Sequence, residues 1–199
     1  MGIRVQQREA TRQALVAAAR SLFTEHGYGA VGLAEIVRAA GVTKGALYHH
    51  FDSKAALFHA VLERVQAEVA TTVAATADAE SDPWRQLIAG CRAFLTASTN
   101  PSVQRIMLLD GPAVLGWHAW RALDDQNSAR HLTDALTALV DAGVLAAQPV
   151  EPVARLLSGA MNEAVLWLAT TGNASDDLDQ TVAALTRMLD GLRADRAAG

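Results

Sequence analysis

Residues 36–57 read IVRAAGVTKGALYHHFDSKAAL. Ile36, Val37 and Ala40 recur at helical spacing, with Leu33 one turn before, and Gly41 stops the run. A short helix over Leu33–Ala40 is therefore expected. Gly41 can take the left-handed backbone that a tight turn between helices needs. Thr43 is a candidate N-cap for a second short helix, Lys44–His50. Two short helices joined by about three residues form the helix-turn-helix shape that reads DNA. Gly45 and Ala46 keep the start of the second helix slender enough to approach a groove. Thr43, Lys44, Tyr48, His49 and His50 supply hydrogen-bond donors there.

Working outward, the period of 3.6 persists. Leu15, Ala18, Ala19, Leu22 and Phe23 form one apolar stripe, so a first helix is expected from near Thr11 to Gly27. Ser53 caps a long helix from Lys54, which fades in the Ala/Thr-rich stretch Ala70–Ala79. Glu80-Ser81-Asp82-Pro83 is the clearest break. Beyond it, helices are expected at Trp84–Ala97 and at Pro101–Leu109, the latter interrupted by Asp110-Gly111-Pro112. Further helices follow at Trp117–Ala142, at Val153–Thr171 (stopped by Gly172) and from about Asp177 to Ala194. Strict apolar/polar alternation is almost absent. The expected fold is all-α, about nine helices, divided into residues 1–54 and 55–199.

Composition narrows the function. The chain has 199 residues, 51% hydrophobic and 19% charged, enough to bury a core and too apolar for disorder. One cysteine, Cys91, excludes a disulfide framework and a thiolate metal cluster. No apolar run reaches membrane-spanning length, and Met1–Arg12 has no apolar core of a secretory signal, so a cytoplasmic protein is expected. The net charge of −4 is uneven: residues 1–54 carry seven basic and four acidic side chains, the rest ten and seventeen. A basic head on an acidic body suits a polyanion-binding module joined to another function.

The words Thr11-Arg12, Ala18-Ala19-x-x-Leu22-Phe23, Gly27-Tyr28 and the string from Ile36 to Leu57 resemble the DNA-binding domain of the TetR-type (tetracycline-repressor-like) transcriptional regulators. The resemblance covers Thr11 to Leu57. It implies an N-terminal three-helix DNA-binding domain and a larger helical domain for ligand binding and dimerisation. Carried over to this chain, Thr43, Lys44, Gly45 and Ala46 would face base edges or the nearest backbone. Tyr48 and Lys54 would hold phosphates, with His49 and His50 at the groove rim. Leu22, Phe23, Ile36, Ala40, Leu47 and Phe51 would be core. One departure stands out. The family usually has Ser or Thr where this chain has Gly32, so one fewer side-chain phosphate contact per subunit is expected. Arg4 and Arg8 could form an arm reaching the minor groove.

In the body, a helical break lined by large apolar groups suggests a pocket wall. The expected lining is Phe94, Met107, Asp110, Trp117, His118, Trp120, Met161, Asn162 and Val165, for a small, largely apolar effector. The last helix shows Leu178, Val182, Leu185 and Leu189 in a narrow seam, and the preceding one Val153, Leu157, Ala160 and Ala164. The resemblance implies that these two helices pair with their copies in a homodimer. The expected partners are thus a palindromic DNA operator, a second copy and a small-molecule effector. No cofactor, metal or membrane is expected. The adjacent His49 and His50 point about a hundred degrees apart on a helix and have no third ligand near. The rival reading is an enzyme built from Asp110, His118, His131 and Glu163. Their spacing matches no nucleophile or metal signature, and nothing basic at a helix start activates Cys91. A second rival is a sensor that has lost DNA affinity, which Gly32 alone favours.

Overall fold

Helix α1 runs Ile3–His26 and starts well before the expected Thr11. Residues 5–10 are all exposed, so they carry no apolar stripe. They are rich in Gln, Arg, Glu and Ala, which favour helix without one. Leu15, Ala19 and Phe23 are fully buried. The helix ends at Gly27, φ +80°, whose N–H donates to the Phe23 carbonyl. The computed structural model describes residues 2–171 and 174–194, with no side-chain placement at 3, 4 and 174. The Arg4 side chain and the Gly172 stop lie outside the described residues.

Helix α2 is Leu33–Ala39 and α3 is Lys44–His50. Between them Gly41 has φ +65°, and the Val42 N–H donates to the Val37 carbonyl. Thr43 caps α3 as expected, its hydroxyl oxygen accepting from the Ala46 N–H at 3.1 Å. Gly32 caps α2 through its backbone and offers no side-chain bond. Ser53 caps α4, Lys54–Asp78, by accepting from the Ala56 N–H at 3.0 Å. Helix α4 does not fade at Ala70, because burial of Val69, Ala70 and Val73 outweighs the weak propensity of that stretch.

The chain continues as α5 (Pro83–Ser98), α6 (Pro101–Gln104), a π-helical turn (Arg105–Asp110), α7 (Gly111–Leu115), α8 (Trp117–Asp125), α9 (Ser128–Asp141), α10 (Val150–Leu168) and α11 (Ala174–Asp190). Asp110-Gly111-Pro112 does not interrupt the helical path; the π turn absorbs it, and Gly116, φ +77°, makes the stop. The long helix expected over Trp117–Ala142 is two helices. Asn127 leaves helical geometry, and its Nδ2 donates to the Leu123 carbonyl at 2.7 Å, closing α8. Helix α11 begins three residues before the expected Asp177 and ends four before Ala194. Among the described residues no strand forms beyond an isolated bridge, Leu145 to Arg193.

Two compact units result: Met1–Val65 with Pro101–Arg121, and Gln66–Asn100 with Ala122–Gly199. In the first, α1 packs on α2, α3, α6 and the π turn around Phe23, Ile36, Leu47 and Ile106. In the second, α9 and α10 form a hairpin and α5 packs on α9, α10 and α11 around Leu95, Leu136, Val165 and Leu189. The guanidinium of Arg193 lies 4.7 Å from the Trp84 ring centroid, tying the end of the described chain to α5.

Candidate functional site

Helix α3 has an inside and an outside. Leu47 is fully buried and Phe51 nearly so, which fixes the helix on the core. Thr43, Lys44, Gly45, Tyr48 and His49 are exposed, and Ala46 and His50 half-exposed. One rotation of a seven-residue helix thus presents the donor-bearing side chains outward together. The Lys44 ammonium lies 5.9 Å from the Tyr48 ring centroid, one turn on. A methyl group on Gly45 would meet nothing closer than the Thr43 hydroxyl at 3.9 Å, so packing within the chain does not require glycine there.

Lys54 opens α4 beside this surface. Its ammonium lies 4.1 Å from the Tyr28 ring centroid, a cation–π contact. Partial burial lowers its pKa, and the Asp110 carboxylate opposes the shift. Tyr28 belongs to a ring cluster with Phe23 and Phe58, centroids 5.2–5.5 Å apart. Its phenol pKa is raised by burial, and its backbone N–H donates to Asp110 Oδ2 at 3.0 Å. A side chain on Gly27 would meet Arg105 Nη1 at 3.2 Å and Asp110 at 4.0 Å. Asp110, expected on an effector pocket, therefore seats the turn between α1 and α2.

The sequence reading missed part of the basic face. Arg8 and Arg12 are held on helix α1, not on a loose arm, and line an open groove with Gln6, Gln13 and His50. The His50 imidazole pKa is lowered, first by partial burial, then by the charges of His49, Arg8 and Arg12. The i, i+4 spacing of Arg8 and Arg12 was the available signal.

The second unit contains a cavity of about 240 Å³ between α4, α5, α8, α9 and α10. Of the nine residues expected to line a pocket, Phe94 and Met161 line it. Val165 is fully buried core, and Asn162 is half-buried with an unpaired Oδ1. Met107, Asp110, Trp117, His118 and Trp120 belong to the other unit, where Trp120 is packed under the π turn and Trp117 and His118 are exposed. The actual walls are largely small: Ala74, Ala77, Gly90, Ala129 and Ala135. Polar side chains on the wall are Asp78, Gln86, Asp124, Ser128, His131 and Ser158; Asp124 and Ser158 are buried, with the serine hydroxyl donating to the carboxylate at 3.5 Å. Burial pushes the Cys91 thiol on this wall up to about 12, so it stays protonated and unreactive.

On α10 and α11, Leu157, Val182, Leu185 and Leu189 are buried by their own chain, which corrects the expectation that they form an outward seam. Val153, Ala164 and Leu178 are half-exposed and Ala160 is exposed. The large exposed apolar side chains on these helices are Leu156 (75%), Trp167 (49%) and Met188 (58%). Of the four residues of the enzyme alternative, Asp110 and His118 fall in one unit and His131 and Glu163 in the other. Among the described residues, no helix is long and apolar enough to cross a membrane.

Residues 84–192 match the family model described as the tetracyclin repressor-like C-terminal domain, and residues 15–61 that of bacterial regulatory proteins of the tetR family. The crystal structure of a TetR-family transcriptional regulator from Pectobacterium atrosepticum is 35% identical, with a TM-score of 0.77, covering 96% of this chain and 97% of that one. The A-factor receptor protein of Streptomyces griseus is 35% identical over 113 residues, 55% of this chain and 39% of that protein, so the match spans about two fifths of that relative. The transposon Tn10 TetC protein of Escherichia coli is 27% identical over 151 residues, 76% of each chain. With more than half of its length matched by one family model, and near-complete coverage of a solved relative, the chain belongs to the tetR family of bacterial regulatory proteins.

Proposed function

We propose that the chain is a ligand-responsive transcriptional regulator, a repressor, that binds a palindromic operator as a homodimer and is released by a small, largely apolar effector. The observation that carries this reading is the outward face of α3, where Lys44, Tyr48 and His49 project together from a helix pinned by the buried Leu47. Residues 1–54 read the DNA, and residues 55–199 hold the effector and the twin. Thr43, Lys44, Gly45 and Ala46 meet base edges or the adjacent backbone. Tyr48, Lys54, Arg8 and Arg12 meet phosphates, and His49 and His50 the groove rim. The open space around Gly45 suits close approach to DNA. The twin seats on α10 and α11 through Val153, Ala160, Ala164 and Leu178 with Leu156, Trp167 and Met188, while Leu157, Val182, Leu185 and Leu189 brace these helices from within.

In such a dimer the two α3 helices lie about 34–36 Å apart, one turn of DNA. The effector acts by favouring a state in which that spacing is wrong. It shifts DNA affinity only by its differential affinity for the two states, about 1–3 kcal/mol. Selection of bound duplexes from a random pool tests the reading: an enriched palindrome with steeply salt-dependent binding is expected. Well-folded protein that enriches nothing would overturn it in favour of a sensor without DNA affinity.

Two substitutions separate the contact types. Lys54→Ala should weaken binding to every sequence alike and flatten the slope of log K against log salt by about one unit per site. An unchanged slope would remove Lys54 from the phosphate set. Lys44→Ala should instead change which operator bases are preferred, at a cost of about 1–3 kcal/mol for the best site. A uniform loss across sequences would assign Lys44 to the backbone.

A further inference from the structure

The cavity of the second unit takes one stripe from each of its longer walls. On α4 the stripe is Val73, Ala74, Ala77 and Asp78, and on α9 it is Ser128, His131, Leu132 and Ala135. Spacing near 3.6 puts each set on one helix face. Two carboxylates thus share a mostly apolar space: Asp78 is exposed, and Asp124 of α8 is only 4% exposed. No lysine or arginine stands among the described residues that line the cavity. Arginines at neighbouring positions are turned to acids elsewhere. Arg92, next to Cys91, meets Asp179 of α11 at 2.7 Å. Arg130, next to His131, meets Asp134 at 3.7 Å. Arg155, about one turn before Ser158, meets Glu151 at 2.7 Å and Asp125 at 3.2 Å. The one lining side chain able to take a positive charge is His131, which is exposed.

We propose that the effector is an apolar cation, a protonated amine on a hydrocarbon body, whose ammonium is received by Asp124 with Asp78 adding attraction from the exposed side. The inference rests on the effector reading above and names the class of ligand. A carboxylate in an apolar wall is costly unless donors or a positive charge meet it. The Ser158 hydroxyl donates to Asp124 at 3.5 Å, longer than the roughly 2.5–3.0 Å usual for such a bond. A carboxylate has about four acceptor positions, so ammonium N–H groups can bond beside the serine. Such charge-assisted bonds are the strong ones. A neutral head gains hydrogen bonds without the charge attraction, and an anionic head meets two like charges. The hydrocarbon body lies against Val73, Leu87, Phe94, Leu132 and Met161. At about 240 Å³ the cavity exceeds the ~150 Å³ engineered cavity known to hold benzene, so a medium-length alkyl or a substituted ring fits.

The test uses the full chain and three probes of matched tail: octylamine, octanol and octanoate, each titrated by calorimetry. It is run at about pH 8, where an aliphatic ammonium keeps its proton and an ordinary imidazole has lost it. Octylamine is expected to bind at least about tenfold more tightly than octanol, with octanoate weakest. Asp124→Asn keeps the size of the side chain and removes its charge. There the preference for octylamine over octanol should fall to within about threefold, with octanol affinity changed by less than about twofold. Asp78→Asn, at an exposed position that folding does not depend on, should cut the preference by about two- to threefold, and that loss should shrink in high salt. It decides the question if Asp124→Asn misfolds. Equal affinities in the wild type, no binding of any probe, or tightest binding of octanol or octanoate would overturn the proposal. So would an octylamine preference left unchanged by the substitutions that fold. Binding to a selected operator is measured on the same samples. Intact operator binding with no octylamine preference sinks the cation inference alone; failure of the wild type to bind any operator sinks the regulator reading beneath it.

Discussion

Trp120→Ala is expected to lower the unfolding free energy by about 3–5 kcal/mol, the range for removing a buried large aromatic. Trp120 is 3% exposed, and its indole N–H donates to the Met107 carbonyl of the π turn at 2.7 Å. Its ring also lies 5.0 Å from that of Trp117. Beneath it Gly111 leaves no spare volume: a Cβ there would come within 2.8 Å of the indole Cδ1 and 3.1 Å of the Ile106 carbonyl oxygen. Truncation therefore opens a cavity and orphans a buried carbonyl together. For a chain of this size the loss corresponds to a fall in melting temperature of about 10 °C, readable by circular dichroism. Trp120→Phe isolates the hydrogen bond and should cost about 1–3 kcal/mol. A cost below about 1 kcal/mol for the alanine variant would mean that the indole does not hold residues 101–121 in place.

Phe23→Ala should produce a destabilisation of similar size, about 3–5 kcal/mol, with a further consequence for DNA. Phe23 is fully buried and contacts both Tyr28 and Phe58 ring to ring, at 5.5 Å each. The Tyr28 ring is in turn the platform under the Lys54 ammonium. Without Phe23 the platform loses its backing, and Lys54 loses its fixed position even in molecules that remain folded. Operator affinity measured well below the melting temperature should then fall, and the salt slope should flatten as in Lys54→Ala. Lost stability with an unchanged slope would show that Tyr28 does not position Lys54.

The head was legible because its signals are local. Gly41, the Thr43 cap and the Ser53 cap each act within four residues, and the structure places all three as read. The first two turns of α1 were not legible from periodicity, since a helix exposed on every side leaves no stripe. The cavity was misread for a deeper reason. Tryptophan and methionine drew attention by size, yet large side chains fill space, and Trp120 fills its own site under the π turn. Empty volume arises where side chains are missing, at Ala74, Ala77, Gly90 and Ala129, which look in sequence like ordinary helix formers. The seam Leu178, Val182, Leu185 and Leu189 has coiled-coil spacing, but spacing alone cannot say whether the facing helix belongs to the same chain. Its last three members lie in the chain's own core.

The π turn at Arg105–Asp110 has a consequence for comparing this chain with its relatives. A π turn closes on one more residue than an α turn, so it amounts to an insertion hidden inside a helix, with no loop to betray it. Leu109, half-exposed on that turn, could be excised to leave a plain α-helix from Pro101 to Leu115. Because the wide turn takes up the extra residue, the segments before and after the excision would keep their facing. An ungapped alignment to a relative with a plain α-helix here would be out of register by one from this turn until the next loop, and residue roles transferred by counting would land on the wrong face.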